Sequence, residues 1–158
     1  MFKRILVAVD ESKVALEAVD VAAQLAAQLG AQIAAVHVVD DTRAFVRDLS
    51  VLDKVVMAEL RRDGVAALVA ACDRIPRELK VERVLVEGEP SEMIISTARD
   101  KQADLIVLGN DSRGRLAHFL LGSTADSVIR RAPCPVVTVR MGGKLEHEHR
   151  PASAAAGI

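Results

Sequence analysis

Gly109 to Thr124 reads GNDSRGRLAHFLLGST. The apolar run Asp104-Leu105-Ile106-Val107-Leu108 leads into it, and Ser123-Thr124-Ala125-Asp126 opens a helix on its far side. Strand, glycine-bearing loop and helix start, in that order, are how α/β proteins assemble an anion site. Amides left unpaired at a helix start point toward an oxyanion, and the helix dipole favours negative charge there. Gly109 is expected to turn the chain off its strand, and Gly122 to let a ligand approach the main chain. Ser123 is placed to cap its helix and to offer a hydroxyl to a phosphate. The stretch predicts the phosphate-binding half of a nucleotide site.

Two commoner phosphate motifs do not apply. Gly109-Asn-Asp-Ser-Arg-Gly114 copies the first six positions of a Walker A loop, but Arg115-Leu116 stands where Lys and Ser/Thr are required. The dinucleotide fingerprint is missing as well, because the first strand ends in Ala8-Val9-Asp10-Glu11-Ser12 with no glycine.

Outward from this stretch the chain alternates strands and helices. Ile5 to Val9 is an apolar run of the kind found in parallel strands covered on both faces. Ser12 is placed to cap an alanine-rich helix that stops at Gly30. Ile33 to Val39 is a second buried strand, and residues 41 to about 50 show no period. A long helix is expected from Val51 to Leu79, with Val55, Val56, Leu60, Val65, Leu68 and Val69 on one side and Pro76 near its end. Val81 to Val86 forms a third strand, and Pro90 stands at the first position of the next helix. Leu105 to Leu108 is the fourth strand, and Val136 to Val139, after a helix ending at Arg130-Arg131, is the fifth.

This alternation predicts an α/β fold with a single five-stranded parallel sheet, order 3-2-1-4-5, and helices on both faces, Rossmann-like or flavodoxin-like. Such sheets bind ligands outside the carboxyl ends of their strands, where the strand order reverses. Asp10 and Gly109 are expected to meet there. One domain over residues 1–140 is followed by residues 141–158, expected to form a mobile tail.

Composition narrows the function. The 158 residues are 51% hydrophobic and carry a formal net charge of −1, without the concentrated basic face that nucleic-acid binding needs. Three Phe and no Trp or Tyr leave nothing on which to stack bases. No apolar run approaches a membrane span, and Met1-Phe2-Lys3-Arg4 does not have the form of a signal peptide. Cys72 and Cys134 fit neither a CxxC nor a zinc pattern and read as small buried thiols. A cytoplasmic protein is expected, with neither nucleic acid nor membrane as partner.

The order and spacing of several landmarks resemble the universal stress protein family over nearly the whole chain to about Arg140. They are Lys3 to Asp10 with Ser12, His37-Val38-Val39-Asp40, Gly88-Glu89-Pro90, Ala103 to Gly109, Leu121 to Thr124, and Arg131 to Val136. Nucleotide-binding members of that family carry Gly, two residues, Gly, nine residues, Gly and then Ser or Thr. Gly109 and Gly122-Ser123 fit this spacing, while Ser112 replaces the middle glycine and the nearest glycine is Gly114.

Residue by residue, the resemblance implies that Asp10 bonds the ribose and that Val38 meets adenine through its backbone. Gly109, Gly122, Ser123 and Thr124 would surround the phosphates. Ser112 could donate its hydroxyl there, and Arg113 and Arg115 could add charge. The expected ligand is ATP or another adenine nucleotide such as AMP or cAMP, with Mg2+ only alongside ATP. A homodimer through the last strand, Val136 to Val139, is expected from its apolar edge, with a further protein partner whose identity the sequence leaves open.

The other polar candidates are weaker. His37 lies within a strand and reads as a hydrogen-bonded core histidine. His118 covers a helix face or approaches the phosphates, and Glu146-His147-Glu148-His149 sits in the tail, a poor place for a metal site. With no triad, carboxylate pair or metal cage, the chain reads as a stress-response regulator rather than an enzyme. The alternative is a dimeric interaction module of the same fold that works without nucleotide, a reading Ser112 favours. A slow ATP hydrolase ranks last.

Overall fold

The computed structural model describes residues 1–43, 50–110 and 122–141. The elements are β1 (Arg4–Ala8), α1 (Lys13–Leu29), β2 (Gln32–Val39), a single 3₁₀ turn (Asp41–Arg43), α2 (Ser50–Cys72), β3 (Val81–Glu87), α3 (Pro90–Asp100), β4 (Leu105–Asn110), α4 (Ser123–Arg131) and β5 (Val136–Arg140). The five strands form one parallel sheet in the order β3-β2-β1-β4-β5, as the alternation predicts.

Strand periodicity divides the core into two layers. Ile5 and Val7 face α1 and α2, joining Val19, Ala22, Leu68 and Val107. Leu6 faces the other way and joins Val36, Ile95, Ile106 and Val128 against α3 and α4. Helices therefore cover both faces. Five of the six alanines of α1 (Ala15, Ala18, Ala22, Ala23 and Ala26) are buried, so this helix packs close to the strands.

Local signals set most boundaries. The Ser12 hydroxyl accepts from the Ala15 amide at 3.2 Å, and α1 stops at Gly30, whose φ of 65° is left-handed. Pro90 opens α3, where its missing N–H is no loss. On α3 the buried residues are Ser91, Ile94, Ile95, Thr97 and Ala98, and Met93 is only partly covered.

The long helix differs from expectation in two ways. It ends at Cys72 rather than Leu79, because Pro76 bars helical conformation to the residue before it. The chain unwinds through tighter turns (Ile75 N–H to the Cys72 carbonyl, 3.0 Å) and tucks Ile75 into the core. The buried face is also not the valine stripe. Gly64, Leu68 and Ala71 point inward, whereas Val55, Val56, Val65 and Val69 are exposed.

Two expectations at the opening stretch are corrected. β4 continues through Gly109 to Asn110, so Gly109 does not turn the chain. A Cβ at Gly109 would come within 2.9 Å of the Val14 backbone, so glycine is needed there for the close approach of α1 to β4. Ser123 does not cap α4: it is the first helical residue, Gly122 is the N-cap, and no side chain bonds the free amides. The expected tail, apart from Met141, lies outside the described residues.

Candidate functional site

The sheet has a recess at the carboxyl end of β1. The β1–β2 ladder stops at Ala8 opposite Val36, yet β2 runs on to Val39 alongside β3. On the other side the last β1–β4 rung joins Val7 to Val107, and β4 continues to Asn110 beside β5. The central strand is thus shorter than both neighbours, at the point where strand order reverses.

One wall of the recess is main chain. The Val36 carbonyl accepts from the Val9 amide at 2.8 Å, so Val36 directs its backbone groups toward β1. Alternate residues of a strand point the same way, and Val38 therefore directs its N–H and C=O past the end of β1. On the opposite edge the Val39 carbonyl accepts from Gly88 N–H at 3.0 Å. The Val38 side chain packs against the α3/α4 layer, leaving its peptide groups as the available chemistry. His37 is a core residue, as expected: buried, with Nδ1–H donating to the Val9 carbonyl at 2.9 Å.

Asp10 is exposed where the chain leaves β1. Its Oδ1 accepts from the Ser12 amide at 2.8 Å, a local turn that fixes the carboxylate at the rim. A crevice of about 500 Å³ between α1 and α2 opens beside it, lined by Asp10, Glu11, Leu16, Asp63 and small residues of α2. Three carboxylates on this side disfavour an anion and leave hydroxyl or amine groups as suitable ligands.

The opposite wall favours an anion. Of the three helix starts on this rim with described side chains, α1 is capped by Ser12 and α3 by Glu89. Glu89 Oε2 accepts from the Glu92 amide at 2.8 Å and the Ser91 hydroxyl at 2.7 Å. Burial works to raise the Glu89 pKa, but these bonds outweigh it and hold the carboxyl below its ordinary range. α4 has no such cap, and Gly122 has no side chain to supply one. Its first amides, at Ser123, Thr124 and Ala125, have no acceptor among the described residues. A Cβ at Gly122 would meet nothing within 4 Å, so the approach is open.

The sequence reading missed Asn110. It is 2% exposed, its Oδ1 accepts from Gly122 N–H at 3.3 Å, and its Nδ2 has no partner among the described residues. An orphaned amide donor of this kind costs about 1–3 kcal/mol. The one signal for it was a polar residue ending a strand in phase with Ile106 and Leu108.

Asp10, Val38, Gly109, Gly122, Ser123 and Thr124 thus lie on one rim, Gly109 contributing through its lack of a side chain. Ser112 and Arg113, with Arg115 and His118, lie outside the described residues, as does the acidic-histidine run of the tail. Among the described residues no group of His, Cys, Asp and Glu is arranged to hold a metal ion, and no helix is long and apolar enough to cross a membrane.

Comparison with known proteins agrees with this fold. Residues 1–140 match the Universal stress protein family. A universal stress protein of Thermus aquaticus is 34% identical over 140 residues, covering 89% of this chain and all of the relative. A universal stress protein solved in complex with cAMP superposes with a TM-score of 0.65 at 27% identity, over 87% of this chain and 97% of the other. One from Archaeoglobus fulgidus, solved in complex with dAMP, gives 0.62 at 26% identity, over 88% and 98%.

Proposed function

The chain belongs to the universal stress protein family, and from that premise we propose that it binds an adenine nucleotide in the recess beyond Ala8 and acts as a cytoplasmic, homodimeric stress-response regulator. The observation that carries the reading is the presence of two unlike walls on one rim: peptide groups at Val38 beyond the end of the β1–β2 ladder, without a partner among the described residues, and a helix start at Gly122 with no side-chain cap. Adenine pairs with the Val38 backbone, the ribose hydroxyls bond Asp10, and the phosphates meet the amides of Ser123 and Thr124. Gly109 keeps α1 close, and Ser112 and Arg113, from the stretch between Asn110 and Gly122, join the phosphates. The cAMP and dAMP complexes of relatives support the ligand class. Mg2+ enters only with ATP, held by its phosphates rather than by a protein cage.

The role is binding rather than catalysis. Occupancy would alter the segment between β4 and α4, and with it the surface offered to protein partners. Such a switch is as strong as the ligand's differential affinity for the two states of that segment. Calorimetric titration with ATP, AMP and cAMP tests the site; no heat and no thermal shift with any of them rejects it. The dimer forms through Val136 to Val139 of β5, an edge strand whose one partner among the described residues is β4 and which is partly exposed along this run. Sedimentation equilibrium should give twice the 16.9 kDa chain mass.

A second reading rests on Ser112, which stands where the family glycine would be. In it the recess is unused and the dimer signals by partner contact alone. If Ser112→Gly creates nucleotide affinity that the natural chain lacks, this second reading is the right one.

A further inference from the structure

Asn110 is buried at the end of β4, and its Nδ2 finds no acceptor among the described residues. Its orientation is fixed by Oδ1, which accepts from Gly122 N–H at 3.3 Å; turned over, the amide would set two donors face to face. Nδ2 hangs from the same carbon as Oδ1 and so lies beside the start of α4. Strand alternation brings it there: Ile106 and Leu108 pack toward α3 and α4, Gly109 meets Val14 of α1, and Asn110 returns to the α4 face. A buried donor without a partner calls for an explanation, and a ligand oxygen supplies one.

We infer that Asn110 is a specificity residue: its Nδ2–H donates to a phosphate oxygen held at the start of α4, so that the site distinguishes a nucleotide from a nucleoside. The adenine end of the ligand rests on the function proposed above, whereas the anion end rests on Asn110 and Gly122 alone. Asn110 thus has two tasks. Oδ1 clasps the returning chain to β4, and Nδ2 reads the charge of what lies between them.

The test titrates ¹⁵N-labelled protein with AMP, adenosine and sodium pyrophosphate while the Asn110 side-chain amide signals are followed. A parallel calorimetric series uses Asn110→Asp, which keeps an acceptor for Gly122 N–H but replaces the donor with a charged oxygen. AMP and pyrophosphate should shift the Asn110 signals, and adenosine should not. Asn110→Asp should bind AMP about tenfold to hundredfold more weakly, as expected for one lost bond to a charged group. It should bind adenosine like the natural chain. Unmoved Asn110 signals with both phosphate ligands, or an equal loss of AMP and adenosine, would overturn the inference. Pyrophosphate shifts without adenosine or AMP binding would reject the adenine reading and leave Asn110 standing. Should Asn110→Asp fail to fold, the natural chain's signals decide alone.

Discussion

The α-carbon of Gly64 lies flat against the imidazole of His37: a methyl placed on Gly64 would come within 2.5 Å of Cδ2 and 2.8 Å of Nε2. The ring cannot retreat, because Nδ1 is bonded to the Val9 carbonyl and the residue is buried. α2 therefore rests on β2 through a contact that only glycine permits. Gly64→Ala gains about 1 kcal/mol of helix propensity. Overpacking outweighs it, and a net loss of about 1–2 kcal/mol is expected in urea unfolding. Combining it with His37→Ala should recover part of that loss relative to His37→Ala alone.

Gly109→Ala is expected to be worse. Its methyl would meet the backbone of Val14 at 2.9 Å rather than a movable side chain. A loss of about 2–3 kcal/mol in chemical denaturation follows. Gly122→Ala, whose methyl meets open space, should stay within about 1 kcal/mol of the natural chain.

Asp10→Asn isolates the proposed ribose contact. The amide oxygen still accepts from the Ser12 amide, so the turn and the melting temperature should be kept. The charged acceptor is lost, and AMP affinity should fall by about tenfold or more in calorimetry, in line with about 1.5–3 kcal/mol for a hydrogen bond to a charged group. An unchanged affinity would place the ribose elsewhere.

The Glu89 cap predicts a pH dependence. Its carboxyl is held below the ordinary glutamate range in the folded chain. A lowered folded pKa means that the contribution is present above the unfolded value and lost as pH falls through the folded one. Glu89→Gln should therefore be less stable than the natural chain at pH 7, by about 1 kcal/mol for a weakened cap. The gap should close as the medium becomes more acidic than an ordinary glutamate pKa, as measured by urea unfolding over a pH series.

Much of the fold was legible because its signals are local. Ser12, Gly30 and Pro90 act within one turn of where they stand, and alternating buried runs and helices imply the strand order. Asp10 was placed at the strand end by the same logic, whereas Val38 came from the resemblance alone. The rest depends on contacts that no short window contains. The end of α2 was misplaced because an apolar, helix-favouring composition runs past the point where Pro76 stops it. The valines of α2 misled because periodicity shows an apolar stripe without saying whether anything covers it. Gly109 was read as a turn when its real neighbour is Val14, and Asn110 escaped notice because its partner, Gly122, lies 12 residues on in the chain.

The shortness of β1 has an evolutionary consequence. A hollow made by where three strands stop, rather than by which side chains surround it, cannot be erased by a point substitution. Descendants of this chain can exchange nearly every residue around the opening and keep the opening itself, changing what is held but not where. Two residues inserted after Ala8, enough to let the middle strand catch up with its neighbours, would close it at once.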